Sequence, residues 1–191
     1  MKHITTSEEL LNAAPDRAIV EAAHAAIAEA EAEYASNAEA GTLPLQDIPE
    51  GDVSEFAAAC RGYQKARGVR IYVTARFVAA VELGSSARRD VIDLDRRRRE
   101  QEEKCHEARR RLETAIGTDG SPLSEPRTRE LAFQLESCVS TLLGLEKACE
   151  AKEQALAAAM RLVSVLTLAG DMADARVADA LKALLAAKDA E

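Results

Sequence analysis

The chain has 191 residues, of which 47% are hydrophobic, 3% are aromatic and none is tryptophan. A chain of this length can bury one core, but it has few aromatic side chains to wall a large small-molecule pocket. About a fifth of the residues are alanine, the best helix former, so the composition favours a helical binding or structural protein.

The net charge of −8 is unevenly distributed along the chain. Residues 1–60 carry a balance of −10, whereas residues 61–117 carry +6. The acidic front and the basic middle either attract each other within the fold or each steer a different partner.

The sequence gives little sign of export or membrane insertion. The start, MKHITTSEELL, lacks the apolar segment of a signal peptide, and no apolar run approaches the roughly 18 residues of a membrane span. Four cysteines do not resemble a disulfide-dense secreted scaffold. We therefore expect a cytoplasmic protein with reduced thiols and no membrane contact. The high alanine and arginine content is typical of a GC-rich genome, such as that of a bacterium or its phage.

The first part of the chain predicts two helices and a linker. Thr6 and Glu9 form a capping box that begins a short helix ending near Ala14. A second helix is predicted over 16–40, where apolar residues recur at helical spacing, and Gly41 ends it. The segment GTLPLQDIPEG, with two prolines and two glycines, predicts a surface linker.

A helix over 53–67 is predicted next, with Asp52 at its start and Gly68 at its end. The stretch 69–78, VRIYVTARFV, is ambiguous because its apolar residues alternate as in a strand and also line one side of a helix. Since a strand here would have only a proline-containing partner, we predict a helix. The GSS sequence at 84–86 predicts a break or a kink.

Two long helices follow and predict a hairpin. The first runs to about Ile116, the loop GTDGSPLSEP follows, and the second runs from about Arg127 to Ala169. Gly170 is predicted to end this helix, and Asp171 to cap a last one.

Both long helices carry a heptad pattern. On the outgoing helix the a and d positions are Val91, Leu94, Arg98, Gln101, Cys105, Ala108, Leu112 and Ala115. On the return helix they are Leu131, Leu135, Cys138, Leu142, Leu145, Cys149, Leu156, Ala159, Val163 and Leu166, with Lys152 as the exception. Because the loop is short, the helices are antiparallel neighbours, and the register places Cys105 opposite Cys138 and Arg98 opposite Leu145.

The predicted fold is therefore all-α: a helical bundle with a long antiparallel, coiled-coil-like hairpin. Residues 1–83 form an N-terminal helical region, acidic over 1–60 and basic over 61–83. Residues 84–169 form the hairpin, and 170–191 form a C-terminal helix that packs on the bundle. The sequence leaves open whether the hairpin closes within one chain or swaps between two.

The stretch RRRREQEEKCHEARRR, residues 96–111, is the most distinctive in the sequence. Arg96, Arg97 and Arg99 point away from the seam, and acids three or four residues away predict a solvated face of helix-surface ion pairs. Arg98 and Gln101 instead interrupt the apolar seam. Arg98 must therefore reach out to solvent, pair with an acid such as Glu146, or meet another chain.

The sequence contains no recognised catalytic or metal-binding motif. Cys105 and His106 are adjacent, so on a helix they point about 100° apart, and no C-x-x-C or H-x-x-x-H occurs. We expect no catalytic residues, no cofactor and no metal. The thiols of Cys105 and Cys138 are expected to be buried as small apolar groups, although a disulfide between them stays conceivable.

The preferred hypothesis is a non-catalytic helical protein–protein interaction factor: an adaptor, an inhibitor or a component of an assembly. Its hairpin would bind another protein or a second copy, through Arg98 and Gln101 with the neighbouring Arg96, Arg97 and Arg99. One alternative is nucleic-acid binding through the basic region 61–117, by Arg61, Lys65, Arg67, Arg70, Arg76, Arg88 and Arg89. In another, the acidic helices mimic nucleic acid through Glu29, Glu31 and Glu33.

Overall fold

The computed structural model describes residues 16–39, 54–116 and 120–190. Over these residues the fold consists of three helices with no strand: α1 (Arg17–Glu39), α2 (Glu55–Thr114) and α3 (Glu125–Asp189). The prediction of an all-α helical bundle is confirmed. The predicted capping box at Thr6, the helix to Ala14 and the linker after Gly41 lie outside the described residues.

Helix α2 is continuous where the sequence predicted two interruptions. Residues 69–78 are helical as predicted, but neither Gly68 nor the GSS sequence at 84–86 ends or breaks the helix. A glycine costs an interior helix position only about 1 kcal/mol relative to alanine, which the packing of a long helix offsets. At Gly68 the missing side chain has a packing role, because a Cβ there would overlap the ring of Tyr34.

Helix α3 is likewise continuous through the predicted stop. Gly170 does not end it, and Asp171 caps no separate helix, since both lie within Glu125–Asp189. The residues around Gly170 are mostly good helix formers, so the helix propagates through a single unfavourable position. The prediction of a distinct last helix from 171 is therefore wrong.

Side-chain caps define two helix starts. The Ser54 hydroxyl accepts a hydrogen bond from the backbone N–H of Ala57 at 3.1 Å, the geometry of a helix N-cap. Asp16 accepts similarly from the N–H of Ala18 at 3.2 Å. The Ser54 hydroxyl is thus in register with the third helical N–H, and the predicted start at Asp52 lies outside the described residues.

A tight connection joins α2 to α3. Ala115 follows the last helical residue with φ 53°, a left-handed conformation that ends α2. The N–H of Leu123 then donates to the Ala115 carbonyl at 2.9 Å, next to an isolated bridge between Ile116 and Pro122. This connection brings the two long helices back alongside each other as antiparallel neighbours.

The chain divides into two compact units. The first, here called the three-helix unit, comprises Met1–Val81 and Met160–Glu191 and contains α1, the first part of α2 and the last part of α3. The second, here called the hairpin unit, comprises Glu82–Ala159. The predicted domain boundaries at 83/84 and 169/170 stay a prediction.

The core of the three-helix unit combines alanines with a few branched side chains. Ala23, Ala30 and Ala169 are fully buried, which lets the helix backbones approach closely. Ile27 and Val73 are the largest fully buried side chains, each worth about 1.5–3 kcal/mol on burial. At the edge of this core the Asn37 amide donates to the Tyr72 hydroxyl at 2.8 Å.

Ion pairs connect each pair of helices in the three-helix unit. Arg76 of α2 contacts Glu29 and Glu33 of α1, at 2.8 and 3.0 Å. The other two pairs are Arg176 of α3 with Glu31 of α1, at 2.6 Å, and Arg70 of α2 with Asp174 of α3, at 2.7 Å. The Arg70 hydrogen bond lowers the pKa of Asp174. Such exposed pairs each contribute about 1 kcal/mol or less, so the buried core supplies most of the stabilisation of this unit.

Candidate interaction surface

The hairpin unit is built on the predicted heptad seam. Cys105 is buried, and the other a and d residues from Val91 to Leu112 and from Leu131 to Leu156 are half-buried, Lys152 excepted. The Gln101 amide crosses the seam and donates to the backbone carbonyl of Cys138 at 3.2 Å. Further along, the Lys152 ammonium contacts the Asp90 carboxylate at 2.7 Å. Both contacts match the predicted antiparallel register.

Cys105 and Cys138 meet in this seam, as the register predicts. Burial raises the pKa of the Cys105 thiol, and the neighbouring Cys138 thiol raises it further. Both cysteines are free thiols in the structure. A raised pKa keeps the Cys105 thiol protonated near neutrality, which suits a packed apolar group better than a nucleophile.

Arg98 enters the seam but does not pair with Glu146. Its guanidinium contacts Asp95 at 2.8 Å and Glu102 at 3.1 Å, both on α2 itself. The side chain keeps 34% of its surface exposed, so it reaches the rim of the seam rather than its interior. The hydrogen bond with Arg98 lowers the pKa of Asp95.

The rest of the arginine run forms the ion pairs that its spacing predicts. Asp93 contacts both Arg96 and Arg97, the second at 2.9 Å, and Arg99 contacts Asp95 at 2.7 Å. The three arginines are exposed, between 61% and 72% by side chain. They therefore form a solvated helix face on which each guanidinium already has an acidic neighbour.

One flank of the hairpin unit forms an open groove of about 880 Å³ between its two helices. The α2 side presents charged residues, with Ala108 deeper in, and the α3 side presents Phe133, Gln134 and Ser137 beside Leu131 and Cys138. Phe133 is 71% exposed, the most exposed large apolar residue in the described chain. We call this flank the groove face. The sequence did not predict this groove, although Phe133, an aromatic residue outside the a and d positions, indicates an exposed apolar site.

The residues of the predicted nucleic-acid surface fall in both units and are partly engaged. Arg70 and Arg76 contact carboxylates of neighbouring helices, and the guanidinium of Arg67 lies 5.7 Å from the ring centroid of Tyr63. Lys65 lines a small groove that also contains Glu31. Arg61 has a partner as well, and Arg88 and Arg89 are exposed on the hairpin unit.

The three glutamates of the predicted acidic surface also form ion pairs. Glu29 and Glu33 contact Arg76, and Glu31 contacts Arg176. The structure thus joins two sets of residues that the sequence assigned to different partners, because α1 packs against the basic part of α2.

No group of three or more histidine, cysteine, aspartate or glutamate side chains in the described residues has the arrangement of a metal site. By length and composition alone, α3 has an 18-residue window with a mean hydropathy of 1.5, of which 17% is buried. One such helix is weak evidence of insertion, so the expected absence of membrane contact stays a prediction.

No protein-family model, curated protein or solved structure matches the chain.

Proposed function

We propose that the protein is a non-catalytic helical interaction factor, and that the hairpin unit is the element with which it binds a partner protein or a second copy. The observation that carries the proposal is the shallow packing of this unit. In the described part of Glu82–Ala159, only Ala87, Cys105 and Ala159 are buried. Two helices alone enclose little apolar surface, and such a hairpin is normally completed by further helices.

The exposed apolar residues of the hairpin unit support this interpretation. Ile92, Phe133 and Leu143 are each more than half exposed. Single exposed apolar residues are common on protein surfaces, but Phe133 lies in the groove face beside Ala108, Leu131 and Cys138, and a contiguous apolar area is typical of a binding surface. A partner helix laid in the groove face would cover Phe133 and the side of the seam in one contact.

Charge argues against the two alternatives without removing them. Nucleic-acid binding needs cations that are free to displace counterions, whereas Arg70 and Arg76 have carboxylate partners in the three-helix unit. A nucleic-acid mimic needs unpaired carboxylates, whereas Glu29 and Glu33 share Arg76.

A site-specific photo-crosslinker tests the proposal. The photoreactive phenylalanine analogue benzoylphenylalanine replaces Phe133 on the groove face or, as a control, the similarly exposed Ile92 outside it. We expect irradiation of cells to yield a discrete protein adduct from position 133 and little from position 92. Equal labelling from both positions, or no adduct from position 133, would contradict a role for the groove face.

A further inference from the structure

The α2 side of the groove face carries a regular ladder of alternating charge. In the heptad that has Val91 at position a and Leu94 at position d, the c positions of three successive heptads are acidic and the g positions are basic. In chain order the ladder is Asp93, Arg97, Glu100, Lys104, Glu107 and Arg111. The last four line the groove directly, so the ladder borders the apolar floor formed by Ala108, Leu131 and Cys138. Steps of four and three residues are those along which a second helix can lie.

This ladder is complementary to itself when reversed. If two copies of α2 lie antiparallel with their crossing point level with residue 102, Glu100 faces Lys104 of the second copy. In the same register the outer pairs are Arg97 with Glu107 and Asp93 with Arg111. All the facing pairs are then of opposite charge. If one copy is shifted along the helix axis by one ladder residue, residues of like charge face each other instead. Such patterns select the partner, its direction and its register.

The two central residues of the ladder have no ion pair in the described part of the chain. The outer ones do: Arg97 contacts Asp93 at 2.9 Å, and Arg111 contacts Glu107 at 2.8 Å. Glu100 and Lys104 both line the groove, yet neither has a carboxylate or ammonium partner there. The centre of the ladder is therefore the part left available for a second chain.

The α3 side of the same flank is suited to close approach at the same level. The seam register that joins Cys105 to Cys138 places residue 102 level with Thr141. Ser137 lines the groove, and the following c and g positions of α3 are also small and uncharged: Thr141, Gly144 and Ala148. A Cβ at Gly144 would meet nothing within 4 Å, so the space beside it is open. In the antiparallel arrangement Phe133 falls near the level of Ala148 of the second copy, a large side chain against a small one.

We propose that the groove face is a homodimer interface, in which α2 lies antiparallel to α2 of a second copy with the two-fold axis level with residue 102. This inference rests on the proposed function and names its partner as a second copy. The apolar groove and Phe133 supply the buried area, and the charge ladder supplies orientation and register.

A charge-swap experiment tests the interface. Glu100→Lys places like charges opposite Lys104 of the second copy, and Lys104→Glu places like charges opposite Glu100. We expect the full-length protein to sediment at twice its 20.5 kDa monomer mass, and each single variant to self-associate roughly tenfold more weakly. An equimolar mixture of the two variants should form a heterodimer, because each then supplies the charge that the other lacks.

The mixture distinguishes the loss of contacts between the two copies from an effect of each substitution on its own helix. Glu100 and Lys104 are also four residues apart, so each single variant disturbs its own helix, but mixing cannot repair that disturbance. The matched control is Arg109→Glu, an exposed charge reversal on the opposite flank, which should leave dimerisation unchanged. Native mass spectrometry of differently tagged variants measures the heterodimer directly.

Two results would overturn the inference: a wild-type protein that stays monomeric at high concentration and low salt, or variants that dimerise as well alone as mixed. Neither result decides the proposed function, which the crosslinker at Phe133 tests. An adduct to a different protein, together with a monomeric wild type, retains the docking role and rejects the second copy.

Discussion

At the scale of single residues, Gly68 has the clearest packing role. It lies in the interior of α2, where glycine is unfavourable, and the ring of Tyr34 from α1 occupies the space where its side chain would be. Tyr34 packs against the core, and burial, with a smaller effect of Tyr72, raises its pKa. The glycine thus allows α1 and α2 to approach closely at the end of the core.

We predict that Gly68→Ala lowers the free energy of unfolding by about 1–3 kcal/mol, since the added methyl group must displace the Tyr34 ring. The matched control is Gly62→Ala in the same helix, where a Cβ meets nothing within 4 Å. That variant should gain roughly 0.5–1 kcal/mol from helix propensity. Urea denaturation measures both, and equal stabilisation by the two alanines would contradict the packing role.

At the scale of elements, the hairpin shows how a helix accommodates a charge in an apolar seam. Arg98 occupies an a position, but its guanidinium bends to Asp95 and Glu102 on its own helix. Its aliphatic stem covers part of the seam while the charged group stays at the rim. Polar residues at a positions commonly limit the number of helices and the registers that can form, at some cost in stability.

Replacing Arg98 by leucine is predicted to stabilise the hairpin while making its choice of oligomer less specific. We expect Arg98→Leu to raise the unfolding free energy of the hairpin by about 1 kcal/mol, because an apolar side chain fills the seam. It should also broaden the distribution of oligomers, because the polar residue no longer selects among registers. The control is Arg99→Leu on the exposed face. If sedimentation shows the same oligomeric state in wild type and Arg98→Leu, the role of Arg98 in specificity is wrong.

At the scale of the whole molecule, opposite charges that are distant in sequence neutralise each other within the three-helix unit. The acidic region 1–60 and the basic region 61–117 meet where α1 packs on α2, through Arg76 with Glu29 and Glu33. Ion pairs within the fold therefore compensate part of the opposite charges of the two regions. They reduce the net field that either region presents to an external partner.

We predict weak retardation of duplex DNA by the wild-type protein at low salt. Glu29→Gln with Glu33→Gln frees Arg76 and should strengthen retardation roughly severalfold, since one more cation can then displace counterions. The control, Glu82→Gln with Glu103→Gln, makes the same change in net charge at exposed positions. Strong wild-type binding that falls steeply with salt would instead favour the nucleic-acid alternative.

Local pattern was sufficient for much of the fold. Helical spacing identified α1 and the helical state of 69–78, and the heptads from Val91 and Leu131 onward gave the hairpin register that Gln101 and Cys138 display. These features depend on residues a few positions apart. The turn-rich loop that reverses the chain is also local.

The sequence by itself therefore determined the helical state of most described residues, the seam and the ion pairs within one helix, because all of these follow from a 3.5- or 3.6-residue period. Only the tertiary structure decided that α2 continues through Gly68, where the Tyr34 ring packs, and that Arg76 contacts the acidic helix α1. Both depend on which helices become neighbours. That choice is set by the burial of alanine-rich faces far apart in the chain, which no local period specifies.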